Sequence, residues 1–245
     1  MTELIVGRNA VVEALKAGRS INKIFISNNI ERHAVVAEII HLAKQKGIIV
    51  EYIEKRYLDN VSKNVPHQGV SATASPKKYT DVDDLIDEAK QKGQEPFLVI
   101  LDGIEDPRNL GAIIRTCDAS GVHGVIIPKR RAVQVTETVD KTSAGAVEHM
   151  AIARVTNINN TLDDLKEKGF WITGLSEDAE KNYTELDYKG PIAIVVGGEG
   201  NGISHLTKEK CDFLAKIPMK GKISSLNASV AAAIVFYEVV RQRSV

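Results

Sequence analysis

Cysteine, aromatic side chains, net charge and long apolar runs are all scarce in this 245-residue chain, and each scarcity closes off a class of protein. Only Cys117 and Cys211 occur, far apart and without a CxxC partner, which argues against a disulfide framework and for a reducing compartment. Aromatic residues make up 5% of the chain against 43% hydrophobic overall, so the core should be aliphatic, as in sheets covered by helices. The formal net charge is zero, with 32 basic and 32 acidic residues, which excludes a protein held on nucleic acid by bulk charge alone. No apolar run approaches the roughly 20 residues of a membrane span. The N-terminal residues Met1 to Arg8 carry no basic segment followed by an apolar stretch and cleavage site. These absences together predict a cytoplasmic protein with no membrane association.

The chemistry that is missing is equally informative. The six histidines (His33, His41, His67, His123, His149 and His205) form no HExxH pattern and no paired Cys/His spacing, so no metal is expected. There is no GxSxG elbow, and neither cysteine lies in a nucleophile motif. Group transfer without a metal or a covalent enzyme nucleophile stays open.

What is present is a strand-and-helix alternation. Helical spacing over Gly7–Ala17 and His33–Lys46 is interleaved with short apolar runs at Ile24–Ile26, Ile48–Val50 and Val70–Ala74, which predicts a small α/β module over residues 1–75. Residues 76–96 change character, from Pro76-Lys77-Lys78 to a polar, acidic stretch, and read as a linker. From 97 to 245, continuous apolar runs at 97–101, 122–127, 151–155, 170–173, 192–196 and 213–217 alternate with helical patterns. Runs of that kind predict an open parallel sheet covered on both faces. The last helix, expected over Ser225–Arg243, shows Val230, Ala233, Ile234 and Tyr237 as one apolar stripe.

Three strand-end loops stand out, because ligands of open α/β sheets bind there. The first runs from Leu101 to Arg115, where Asp106-Pro107 looks like an N-cap and N1 proline. Arg115 lies about 140° around that helix from Leu110, free to meet a ligand or to be a plain surface charge. The second, Gly197-Gly198-Glu199-Gly200-Asn201-Gly202, has four glycines around one carboxylate. It fits neither the dinucleotide fingerprint nor a P-loop, so a tight turn and a ligand loop both remain open. The third, Ile217 to Ser229, ends a strand at Pro218 and enters the last helix. Ser224 or Ser225 would cap that helix and Asn227 would sit in its first turn.

Together the segments Asn-Leu-Gly-Ala-Ile-Ile-Arg-Thr, Gly-Gly-Glu-Gly-Asn-Gly-Ile-Ser and Ile-Pro-Met…Ser-Leu-Asn-Ala-Ser-Val-Ala resemble, in order and spacing, the three motifs of SpoU-type RNA ribose methyltransferases of the SPOUT superfamily. Residues 1–75, opening Val-Gly-Arg-Asn-Ala-Val-Val-Glu-Ala-Leu, resemble the small substrate-binding domain of many members. The resemblance implies an α/β architecture in which a small RNA-binding domain precedes a parallel-sheet SPOUT domain with a deep trefoil knot. It further implies S-adenosylmethionine as methyl donor, a ribose 2′-hydroxyl as acceptor, and a homodimer with its active site at the interface. Carried over by motif, Gly198, Ile217, Met219 and Leu226 line the donor site, and Asn109, Arg115, Glu199, Ser225 and Asn227 form the polar active-site set. Arg115 would either remove the proton or, as its permanent charge favours, hold a phosphate and stabilise the developing oxyanion. Arg8, Arg19, Lys23, Arg32, Lys44 and Lys46 are the expected phosphate contacts of the N-terminal module. Ribosomal RNA, at a large-subunit guanosine, is favoured by analogy; transfer RNA is the runner-up, and a non-catalytic RNA-binding or ribosome-assembly factor the alternative of another class.

Overall fold

The structure, a computed structural model, describes residues 2–31, 33–62, 65–130 and 132–244. The chain opens with β1 (Glu3–Val6), α1 (Arg8–Lys16), β2 (Ile21–Ser27), α2 (Ala34–Gln45), β3 (Ile49–Ile53), α3 (Lys55–Val61) and β4 (Val70–Ala74). It continues through α4 (Val82–Gln91), β5 (Phe97–Asp102), α5 (Pro107–Ala119), β6 (Gly124–Pro128), α6 (Glu137–Thr142), α7 (Ala146–His149) and β7 (Ile152–Val155). It ends with α8 (Ile158–Glu167), β8 (Trp171–Leu175), β9 (Lys181–Asn182), β10 (Ile192–Gly197), α9 (His205–Lys210), β11 (Phe213–Lys216) and α10 (Ala228–Arg243). Two units result: 1–78 with 135–149, and 79–134 with 150–245.

The first unit is a four-stranded sheet in the order β1-β4-β2-β3. Strand β4 runs antiparallel to β1 and β2, while β2 and β3 are parallel. Its core is aliphatic, with Ile5, Val11, Leu15, Ile24, Ile26, Ile39 and Val70 buried. The sequence pattern shows β2, β3, β4, α1 and α2, but not β1 or α3. Nor does it show that residues 135–149, expected to stay with the C-terminal part, group with this unit.

That excursion is held by charge. Arg19, with its side chain only 7% exposed, donates from Nε and Nη2 to the carbonyl of Ser75 at 3.2 and 3.1 Å, and pairs with Glu3 and Glu148. Arg19 is therefore an internal cation, and its expected role as a phosphate contact is corrected: both of its faces are spent inside the unit. Beside it the carboxyl of Asp140 is buried, and its Oδ1 has no hydrogen-bond partner.

The second unit is a seven-stranded, wholly parallel sheet in the order β7-β6-β5-β10-β8-β11-β9. The continuous apolar runs become strands buried on both faces, as their composition requires. On one face Leu98, Ile100, Ile126, Leu162, Leu165, Ile172 and Val195 share a cluster. Elsewhere Phe97 meets Phe236 of α10 edge to face, with ring centroids 5.7 Å apart. Helix α10 buries Ala232, Val235, Phe236 and Val239. The stripe expected to face the core is turned away: Val230 and Tyr237 are 46% and 52% exposed, and Ala233 and Ile234 only half-buried. Both faces of this helix are apolar, and periodicity alone does not choose between them. Among the described residues no helix is long and apolar enough to cross a membrane.

The Asp140 carboxyl is pushed up to about 7 by burial and by the neighbouring Glu148 and Glu3, with Arg19 and Lys77 opposing the rise. Between the ordinary value of 3.8 and about 7, the folded chain holds a proton that the unfolded chain has released, so stability falls as pH rises through this window. In Asp140→Asn that decline should disappear. Thermal unfolding followed from pH 4.5 to 7.5 reads the difference, and superimposable pH profiles for parent and variant would contradict it.

Candidate active site

The carboxyl edge of the parallel sheet carries all three motif loops. Helix α5 starts as its sequence demands: Asp106 Oδ1 accepts from the Arg108 amide at 2.9 Å, with Pro107 at the first turn. Asn109, one turn in, is buried at 6% exposure and donates to Glu199 Oε1. Asn227 donates to the same oxygen at 3.1 Å and to Asn109 Oδ1 at 3.0 Å. Three residues, one from each motif, thus close a ring of amides around a single carboxylate. Charge-assisted bonds of this kind fix loops better than neutral ones.

Asn227 does a second job. Its Oδ1 accepts from the Ser229 amide at 2.9 Å and from Ser229 Oγ at 2.6 Å, so Asn227 itself is the N-cap of α10. This corrects the expected placement, with Ser224 or Ser225 as cap and Asn227 in the first turn. Both serines lie in the preceding loop, exposed.

The glycine loop is shaped by backbone crossings. A methyl group on Gly198 would lie 2.0 Å from the Gly103 carbonyl oxygen, and one on Gly197 would lie 2.1 Å from the Gly202 carbonyl carbon. The Gly198 amide donates to the Asp102 carbonyl at 2.9 Å, and Asp102 Oδ2 accepts from the Ser204 amide at 2.9 Å. Asp102 was not singled out in the sequence, although its place at the end of β5 marks it.

Behind this ring lies a cavity of about 620 Å³, within the range of small-molecule sites. Gly198, Ile217, Met219 and Leu226 line it, as do Glu199, Ser225 and Asn227. Leu175 to Asp178, after β8, complete the wall, and nothing in their sequence signals it. Arg115 does not join. Six residues beyond Asn109 on α5, about 9 Å further along the axis, it is exposed and outside the cavity wall.

The thiols take no part: burial holds Cys117 far above the usual cysteine range and pushes Cys211 up to about 12. Among the described residues no cluster of three or more His, Cys, Asp or Glu could hold a metal. In the first unit Lys44 and Lys46 are exposed and Arg8 is half-buried, while Lys23 pairs with Glu51 at 2.8 Å. Arg32, also expected to contact phosphate, lies outside the described residues.

A parallel sheet with a glycine-lined cavity at its carboxyl edge has the form of a small-molecule site in an α/β enzyme. The family model of the SpoU rRNA methylase family matches residues 96–237, and that of RNA 2′-O ribose methyltransferase substrate binding matches residues 4–80. The chain belongs to the SpoU methyltransferase family. It is 46% identical over 242 residues to YacO of Bacillus subtilis, which carries the name of a TrmH family tRNA/rRNA methyltransferase, covering 99% of this chain and 96% of that one. The SpoU methyltransferase AviRb from Streptomyces viridochromogenes, solved with the cofactor AdoMet, superposes with a TM-score of 0.82 at 25% identity, over 99% of this chain and 91% of its own. The TrmH/SpoU tRNA modifying enzyme of A. aeolicus superposes with a TM-score of 0.57 at 32% identity, over 66% of this chain and 85% of its own.

Two substitutions test the geometry. Gly198→Ala should cost about 3 kcal/mol by forcing two backbones apart. Asn227→Ala should cost about 1 kcal/mol as a lost cap, and more if the ring around Glu199 opens with it. Denaturant titration of each variant measures both, and unchanged midpoints would refute the crossing and the cap.

Proposed function

We propose that this methyltransferase transfers a methyl group from S-adenosylmethionine to the 2′-hydroxyl of a ribose in RNA, at a guanosine of large-subunit ribosomal RNA in the cytoplasm. The observation that carries the proposal is the ring of Asn109, Glu199 and Asn227 set against a cavity of about 620 Å³. The lining suits the donor: Leu175, Ile217, Met219 and Leu226 offer apolar contact for an aromatic base, and the glycine loop brings backbone groups close without side chains intervening. AviRb, alike in fold over nearly its whole length, binds that cofactor. When bound, the sulfonium supplies an electrophilic methyl group.

The chain's own residues must align the acceptor oxygen and remove one proton. Asn227 and Asn109 are committed to Glu199 Oε1, so they position that carboxylate and do not contact the ribose. Among the described residues Glu199 Oε2 makes no hydrogen bond, which leaves it to accept the hydroxyl proton. Ser225 orients the sugar from the cavity wall. Arg115, always charged, grips phosphate and stabilises the growing negative charge on oxygen.

Arg115 cannot do this from its own subunit's helix flank, and we propose a homodimer in which it serves the partner's cavity. The exposed apolar stripe of α10 is the surface such a dimer would cover. A transfer-RNA substrate is the second reading, favoured by the likeness to the A. aeolicus tRNA modifying enzyme. The first unit, matched along residues 4–80 by a substrate-binding model, favours the larger RNA.

Mapping 2′-O-methylation across cellular RNA with and without the gene tests the reaction, and no lost modification in ribosomal or transfer RNA would end it. Arg115→Ala and Glu199→Gln should each bind donor normally in calorimetry yet lower single-turnover rates by orders of magnitude. Mixed in equal amounts, the two dead variants should recover about a quarter of parental activity, because half the dimers carry one intact site. No recovery would place Arg115 within its own subunit's site.

A further inference from the structure

Half of the described cations of the second unit are spoken for. Lys92, Lys166, Lys168, Lys208, Lys210 and Arg241 are in ion pairs. The guanidinium of Arg243 is bonded to the backbone carbonyls of Glu95, Pro96, Tyr188 and Gly190. Arg154 lies over the Tyr79 ring and Lys181 over Phe213.

The carboxyl edge of the sheet is different. Among the described residues Arg108, Lys129, Arg130, Lys216, Lys220 and Lys222 make no ion pair there, and all but Lys216 are exposed. Carboxylates share that edge but make no ion pair with these cations among the described residues: Asp102 accepts from the Ser204 amide, Asp106 from the Arg108 amide and Glu199 from two asparagines, while Asp178 pairs with Lys208. Among the described residues Glu105 and Glu177 also lie on that edge. Of these cations, Arg108, Lys129, Arg130, Lys220 and Lys222 are thus exposed, without an ion pair among the described residues, on the edge where the active-site ring sits. Three others without an ion pair among the described residues, Lys90, Arg115 and Lys189, lie away from it.

Within this set the loop after β6 is the best anchored. The Lys129 amide donates to the Val155 carbonyl at 2.9 Å, and the Val133 amide donates to the Ile104 carbonyl at 3.0 Å, inside the loop that leads to Asn109. Strand β6 lies beside β5, which lies beside β10. Lys129 and Arg130 therefore leave the sheet two strand spacings, about 10 Å, from Gly198 and Glu199. The donor cavity occupies the other side of that ring, over β10, β8 and β11.

We infer that Lys129 and Arg130 hold RNA backbone phosphates flanking the acceptor nucleotide, on the opposite side of the ring from the methyl donor. The inference rests on the proposed RNA reaction and adds a grip within the catalytic unit that no motif marks. It divides labour: the donor enters over one half of the sheet edge, the polynucleotide strand crosses the other, and the ribose meets the methyl group between them. Phosphate contacts of this kind set register and carry no sequence information, so the grip should act on any RNA the enzyme accepts.

The test uses the full-length protein, unmodified large-subunit ribosomal RNA transcribed in vitro, and a transcribed transfer RNA as second probe. Lys129→Ser with Arg130→Ser should weaken binding of the accepted RNA about tenfold at low salt. It should lower the slope of log affinity against log salt by about 1.5 to 2. KM for RNA should rise while the single-turnover rate at saturating RNA and the calorimetric affinity for S-adenosylmethionine stay within twofold of the parent. Lys90→Ser with Lys189→Ser, off the edge, should leave all these values unchanged. A parent that methylates RNA beside a Lys129/Arg130 variant with the same salt slope and KM would overturn the grip alone. A parent that neither binds nor methylates either RNA would overturn the grip and the reaction together.

Discussion

The carboxylate of Glu199 is the constraint on which the rest of the site depends. It stands at the turn of a glycine loop and is reached by amide donors from two other loops, Asn109 from α5 and Asn227 from the start of α10. A loop of four glycines in six residues would by itself be entropically costly to hold in one shape. Here the cost is offset where the backbone is most crowded, at the Gly103–Gly198 crossing, and where the ring of side chains closes. The cavity wall follows from these two restraints.

The same restraint explains why the polar residues of the three motifs are not equivalent. Asn109 and Asn227 spend their hydrogen-bonding capacity on one another, on Glu199 and on capping α10, so their contribution is geometry. Glu199 and Ser225 keep capacity facing the cavity. Arg115 shares a helix with Asn109 but not its surroundings, because six residues along an α-helix carry a side chain about one and two thirds turns around the axis. One motif therefore supplies two residues with different surroundings in this subunit: Asn109 in the ring and Arg115 outside the cavity wall.

Much of the second unit was legible because buried parallel strands announce themselves as unbroken apolar runs, and because the three loops lie at strand ends where ligands collect. What stayed hidden has physical reasons. The strand β1 is only four residues long, and β9 two, too short for any period to register. Helix α10 is apolar on two faces, so its stripe of Val230, Ala233, Ile234 and Tyr237 is not the face that packs most deeply: Val230 and Tyr237 are exposed and the other two half-buried. Arg19 read as a free cation because its partners, Glu3, Ser75 and Glu148, are brought to it only by tertiary structure. Lining residues after β8 carry no local signal at all, since a cavity wall needs only to be near.

The excursion of residues 135–149 has a topological price of its own. The chain leaves the catalytic sheet after β6, supplies α6 and α7 to the first unit, and returns as β7. On a ribosome, the first unit's sheet strands emerge early, yet its buried Arg19 waits for Glu148 until residues 79–134 of the other unit have been made. Neither unit, as it packs, corresponds to one continuous stretch of the chain.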